Sequence, residues 1–91
     1  MKLIRTTKFS KQAEKLVKND SFLRNKLEEC LFKLSDNPFD ESLFTHKLKG
    51  HLKDIFALRL TYEFRIIFRF VTFEGEECIL LLAIGTHEEV Y

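Results

Sequence analysis

Asp54-Ile55-Phe56-Ala57-Leu58-Arg59-Leu60-Thr61-Tyr62-Glu63-Phe64-Arg65-Ile66-Ile67-Phe68-Arg69-Phe70 is the stretch whose periodicity decides the fold. Phe56, Leu58, Leu60, Phe64, Ile66, Phe68 and Phe70 fall on even positions, while Arg59, Glu63, Arg65 and Arg69 fall on odd ones. Alternation of this kind is the mark of strand with one buried face. One strand cannot run so far in a small domain, so a turn is expected at Thr61-Tyr62-Glu63. A turn centred on Tyr62 sets Leu58 opposite Ile66 and Phe56 opposite Phe68, all on one apolar face. The same register sets Arg59 opposite Arg65 on the other face. Directly opposed like charges cost a sheet up to about 1 kcal/mol. Folding has no use for that cost, and an anionic ligand would relieve it.

Downstream, Glu74-Gly75-Glu76 reads as a second hairpin turn. The returning strand, Cys78 to Ile84, is apolar at every position and should lie centrally, covered on both faces. Upstream, Lys2 to Arg5 is a short strand. Thr6 or Thr7 then caps a helix whose residues Phe9, Ala13, Leu16 and Val17 keep helical spacing. Asn19-Asp20-Ser21 interrupts it, and Asp20 or Ser21 caps a second helix bearing Leu23, Leu27, Cys30, Leu31 and Leu34 on one stripe. Asn37-Pro38 ends that helix. Two amphipathic helices so closely joined form an antiparallel hairpin, and their stripes need a sheet to cover. The expectation is a single α+β domain over residues 1–91. It consists of an N-terminal strand, a two-helix hairpin and three antiparallel strands, with the helices on one face of the sheet and basic residues on the other.

Composition agrees. A chain of 91 residues suits one domain, and buries only about 60–65% of its unfolded surface. A hydrophobic fraction of 45% excludes a disordered chain. Ten Phe and no Trp mark an aromatic core. No apolar run reaches the roughly 20 residues needed to span a bilayer, and no signal-type segment is evident. A soluble, cytoplasmic protein is expected, with no membrane partner. Cys30 and Cys78 sit in apolar periodic segments without CxxC spacing and read as reduced core thiols. Net charge is only +1, but it is unevenly spread. From His46 to Arg69 the basic residues are Lys47, Lys49, Lys53, Arg59, Arg65 and Arg69, against Asp54 and Glu63 alone. Such a segment is the footprint of an anion-binding face.

The chain closes with Ile84-Gly85-Thr86-His87-Glu88-Glu89-Val90-Tyr91. A buried strand that stops at Gly-Thr-His delivers a histidine to the sheet's edge, and histidine can donate or accept a proton near neutrality. The spacing of His46, His51 and His87 matches no zinc pattern, and no metal or cofactor is expected. No Ser-His-Asp arrangement, phosphate loop or glycine-rich dinucleotide motif is present.

With these residues in view, the sequence resembles the RelE/ParE toxin superfamily. The resemblance rests on the β-α-α-β-β-β order, His46-Lys47-Leu48-Lys49-Gly50, Leu58-Arg59, Phe64-Arg65-Ile66-Ile67-Phe68 and the Gly85-Thr86-His87 tail with Tyr91 four residues on. It is nearest to the YafQ-like and RelE-like mRNA interferase toxins of type II toxin–antitoxin systems. The resemblance implies a metal-independent, ribosome-dependent mRNA endonuclease. Its partners would be a cognate antitoxin, mRNA and the A site of the 70S ribosome, and DNA would be reached only through the antitoxin. His87 matches the histidine that acts as general acid in such toxins, Tyr91 the C-terminal aromatic, and His46 the histidine before the Leu-x-Gly motif. Glu63 falls where YafQ-like members carry an acid, and Phe64 where they carry Trp. Arg59 stands where that branch has histidine and RelE has arginine. Arg65 matches an arginine of RelE and YoeB-like members. The site therefore mixes two branches.

Metal-free RNA cleavage needs a base to help the 2′-hydroxyl attack phosphorus, cations for the added negative charge, and an acid for the leaving 5′-oxygen. His87 is the candidate acid. Arg59 and Arg65 are the candidate phosphate ligands, since guanidinium matches phosphate oxygens in bidentate fashion. The base stays open between His46 and Glu63, with His51 weaker than either. Lys47, Lys49, Lys53 and Arg69 would hold the RNA backbone, Phe64 would contact RNA, and Tyr91 would stack on a base. Two alternatives come from other classes. One is a ParE-like toxin that binds and inhibits DNA gyrase without nuclease chemistry. The other is an RNA- or ribosome-binding module that has lost activity.

Overall fold

The computed structural model describes residues 1–50 and 54–91. The expectations placed on His51 and Lys53 lie outside the described residues. Strand β1 (Lys2–Arg5) leads into helix α1 (Thr7–Val17) and helix α2 (Ser21–Asp36). A 3₁₀ turn (Glu41–Leu43) precedes the two-residue strand β2 (His46–Lys47). Strands β3 (Phe56–Arg59), β4 (Phe64–Phe73) and β5 (Glu76–Thr86) follow, and a one-turn helix α3 (His87–Val90) ends the fold.

The helix starts follow from capping. The Thr6 hydroxyl accepts from the Phe9 amide at 3.1 Å, and the Asp20 carboxylate accepts from the Leu23 amide at 3.0 Å. Each satisfies a donor that the first helical turn leaves free. The β4–β5 turn uses Glu74 at φ 51° and Gly75 at φ 79°. Paired positive φ values give the twist that a two-residue hairpin needs.

The five strands lie in the order β1-β5-β4-β3-β2. Strand β1 is parallel to β5, and the remaining neighbours are antiparallel. The β3–β4 register is the expected one: Phe56 pairs with Phe68, Leu58 with Ile66, and Arg59 with Arg65. Strand β5 is central, flanked by β1 and β4. Its unbroken apolar run has a further cause. Ile67 pairs with Ala83 but Phe68 pairs with Leu81, so Leu82 is an extra residue in a bulge. Ile79 and Leu81 face the helices before the bulge and Ile84 faces them after it, so one alternation could not describe the strand.

The main core lies between the helices and the sheet. Phe9, Leu34, Leu58, Ile66, Phe68, Ile79 and Leu81 are completely buried there. Each such side chain contributes roughly 1.5–3 kcal/mol through removal from water. Phe68 and Phe70 meet edge to face at 5.7 Å between ring centres, and Phe39 stacks on Phe70 at 6.1 Å. Cys30 and Cys78 are both buried free thiols, and burial pushes the Cys30 thiol up to about 12. The opposite face is less uniformly basic than its sequence implies. Ala57, Ile67 and Ala83 form a second small cluster there, covered by Leu48, Ile55, Leu82 and Val90.

Candidate active site

Residues directly opposite in antiparallel strands project to the same face. The β3–β4–β5 register therefore makes one row of Arg59, Arg65 and Gly85. The neighbouring row is His46, Ala57, Ile67 and Ala83. Two arginines and a histidine thus stand together on the face turned away from α1 and α2. They line an open cleft of about 500 Å³ with Phe44, Thr45, His87 and Tyr91.

Arg65 is held firmly. Its Nη1 donates to the carbonyls of Thr61 and Tyr62, each at 2.9 Å, and to that of Phe64 at 3.2 Å. From the start of β4 it closes the β3–β4 turn, so its guanidinium is fixed before any ligand arrives. Arg59 is held differently. Its Cζ lies 4.2 Å from the centre of the Phe44 ring, a cation–π contact, and its buried Nε has no hydrogen-bond partner. A guanidinium seated on a ring face keeps its N–H groups free for an anion.

His46 is exposed, and its Nδ1 lies 3.0 Å from the Phe44 carbonyl oxygen. A carbonyl only accepts, so Nδ1 carries the proton, and in the neutral ring Nε2 is left with a lone pair. His87 is set by a different device. The Thr86 hydroxyl accepts from the Glu89 amide at 3.3 Å, and the Glu89 carboxylate accepts from the Thr86 amide at 2.8 Å. This reciprocal capping box opens α3 at His87. Hydrogen bonding from the Thr86 amide, and after it from the Thr86 side chain, holds the Glu89 carboxyl below its usual range. Gly85 permits the crossing: a Cβ there would lie 2.9 Å from Glu89 Oε1, 3.2 Å from Glu89 Cβ and 3.3 Å from Val90 Cγ1. The Tyr91 ring then meets the His87 ring edge to face at 4.1 Å. Burial raises the Tyr91 phenol pKa, opposed by the Arg65 guanidinium, so it remains an O–H donor at neutral pH.

The other residues expected to act fall elsewhere. Glu63 is exposed in the β3–β4 turn, outside the cleft lining, and among the described residues forms no ion pair. Phe64 faces the helices, packed on the main core, and lines a separate cavity with Gln12 and Lys15. Lys47 is paired to Asp54 at 2.8 Å, which together with Arg69 lowers the Asp54 carboxyl. Arg69 lies further along β4 than the cleft and has a buried Nε without a partner. Lys49 is exposed beside Gly50. Phe44 and Thr45 line the cleft without having been singled out from the sequence. Their one sequence signal is Asp40-x-Ser42, where the Asp40 carboxylate accepts from the Ser42 amide at 2.9 Å and opens the turn that delivers Phe44.

No protein-family model and no curated protein matches the chain. Solved structures do. A YoeB/ParE toxin from Agrobacterium tumefaciens superposes with a TM-score of 0.80 at 22% identity, over 96% of this chain and 99% of the other. A metal-bound toxin from Helicobacter pylori gives 0.79 at 26% identity, over 100% of this chain and 99% of the other. YafQ from E. coli gives 0.77 at 19% identity, over 98% and 96%. The resemblance drawn from the sequence is borne out in the fold: this chain has the architecture of RelE-superfamily toxins.

Proposed function

We propose that this chain is the toxin of a toxin–antitoxin pair and a metal-independent endoribonuclease that cuts mRNA on the ribosome. The observation that carries the reading is the cleft itself. It unites two arginines opposed across a hairpin with two histidines delivered from separate elements, one of them with a free acceptor nitrogen.

In this mechanism a phosphodiester settles between Arg59 and Arg65, which relieves their mutual repulsion. His46 Nε2 accepts the proton of the 2′-hydroxyl as its oxygen attacks phosphorus. The orientation of Nδ1 toward the Phe44 carbonyl and the remote position of Glu63 favour His46 as the base. The arginines stabilise the charge that builds on the phosphorane oxygens, a role typically worth about 10²–10³ in rate for each donor. His87 then donates its proton to the departing 5′-oxygen, leaving a 2′,3′-cyclic phosphate upstream. Tyr91 steadies the His87 ring from its edge. Lys47, Lys49, Lys53 and Arg69 serve the RNA backbone rather than the reaction.

The partner follows from the same surface. A toxin of this fold, YoeB from Staphylococcus aureus, forms a heterotetramer with the YefM antitoxin. For this chain an antitoxin segment with carboxylates over Arg59 and Arg65 would fill the cleft and silence it. Among the described residues no helix is long and apolar enough to cross a membrane. Action on ribosomes places the protein in the cytoplasm.

Brief induction of the chain in a bacterial host, followed by primer-extension mapping of transcripts, tests the reading. New 5′ ends confined to translated regions are expected, and His87→Ala should abolish both the cuts and the growth arrest. Growth arrest by His87→Ala with intact mRNA would exclude the nuclease and direct attention to gyrase supercoiling.

A further inference from the structure

Phe44 stands out on four counts. Its backbone is left-handed, at φ 52°. Glycine and asparagine adopt that conformation readily, whereas a bulky side chain is a rare occupant held at a cost. The residue closes the Glu41–Leu43 turn, and its amide donates to the Glu41 carbonyl at 3.3 Å, a job that needs no aromatic ring. The ring is 56% exposed, so core packing does not explain it either. Yet it lies in the cleft wall, its face carries the Arg59 guanidinium, and its carbonyl accepts from His46 Nδ1.

A strained, exposed aromatic placed between a phosphate ligand and a base fits one ligand chemistry: a nucleobase whose phosphate sits on Arg59. We infer that Phe44 is a substrate-binding residue that stacks one unpaired RNA base in the cleft while its ring seats Arg59 for the adjoining phosphate. Stacking on an aromatic face orders single-stranded RNA and tolerates every base identity. It would fix the nucleotide so that its 2′-hydroxyl lies toward His46. The inference rests on the proposed RNA chemistry of the cleft and adds to it the group that holds the base.

The chain has no tryptophan. Phe44→Trp therefore places a single indole at this position. Its fluorescence is titrated with short single-stranded 2′-O-methyl RNA and with an abasic oligomer of equal length and charge. Quenching by the base-bearing oligomer, with little or none by the abasic one, is expected. In parallel, Phe44→Leu and Phe44→Gly are assayed by anisotropy of labelled RNA. Both should bind the base-bearing oligomer about 5- to 150-fold more weakly, and should lose more affinity for it than for the abasic oligomer, whose phosphates meet Arg59 alone. Phe44→Gly suits the left-handed backbone, so its melting temperature certifies that the fold survives. Equal quenching by the two oligomers, or wild-type RNA affinity in the Leu and Gly variants, overturns the stacking role. So does the absence of RNA binding by the unaltered chain. None of these results bears on where ribosome-bound transcripts are cut, so the nuclease reading stands or falls separately.

Discussion

Replacing Gly85 with alanine adds one methyl group at the point where α3 crosses β5. Its backbone is not left-handed, so alanine is allowed there by conformation, and the consequence depends on space. The new Cβ would lie 2.9 Å from Glu89 Oε1, 3.2 Å from Glu89 Cβ and 3.3 Å from Val90 Cγ1. The carboxylate cannot swing away freely, because it holds the Thr86 amide at 2.8 Å. Helix α3 must therefore move outward by a few tenths of an ångström and carry His87 with it. Reduced freedom of the unfolded chain favours alanine by about 0.4–1 kcal/mol and offsets part of the crowding. The melting temperature should change by no more than about 8 °C. Activity is more sensitive, since about 1 Å of misplacement costs roughly 10²-fold. A shift of this size should lower kcat about 3- to 10-fold on ribosome-bound mRNA. An independent readout is the His87 ring proton shift, which the Tyr91 ring perturbs from 4.1 Å. It should move toward the value of a free histidine in Gly85→Ala. A variant with wild-type kcat and an unchanged His87 shift would refute the claim that Gly85 sets the position of the acid.

Arg59→Met and Arg65→Met should part company. The first removes a guanidinium with an unpartnered Nε and relieves a like-charge pair, so stability should change by less than about 1 kcal/mol while kcat falls about 10²–10³-fold. The second also removes the Arg65 bonds to the Thr61, Tyr62 and Phe64 carbonyls, and should cost about 1–2 kcal/mol in denaturant unfolding as well as activity. Acid should release α3 late. The Glu89 carboxyl is held below its ordinary value of 4.5, so its hold on α3 is complete above that pH and is lost only as pH falls through the lowered value. The His87–Tyr91 ring contact, followed by the nuclear Overhauser effect between the two rings, should therefore persist through pH 4.5, whereas Glu89→Gln should weaken it across the whole range.

The parts of the fold legible in the sequence are those governed by local rules. Alternation from Phe56 to Phe70 and a turn at Tyr62 gave the β3–β4 register residue by residue, including Arg59 opposite Arg65. Thr6 and Asp20 announced the two helix starts. Strand β2 and helix α3 escaped because two and four residues are too few for a period to show. The bulge at Leu82 was hidden for the opposite reason: an all-apolar strand looks the same in either phase. At the site, opposed charges pointed to both arginines before the fold was known. The division of labour between them was not readable, because it depends on which group each guanidinium meets. Phe44 was silent for a similar reason. Exposure, left-handed backbone and contact with Arg59 are properties of the folded chain, and a phenylalanine in a loop does not advertise them.

The most direct test of the central claim is the chemistry of the cut end. Purified protein is added to ribosomes programmed with a defined mRNA, and the 3′ termini of the upstream fragments are determined. Attack by the 2′-hydroxyl with His46 as base and His87 as acid predicts a 2′,3′-cyclic phosphate, absent from reactions with His46→Ala or His87→Ala. A free 3′-hydroxyl, or full cleavage by either histidine variant, would contradict it.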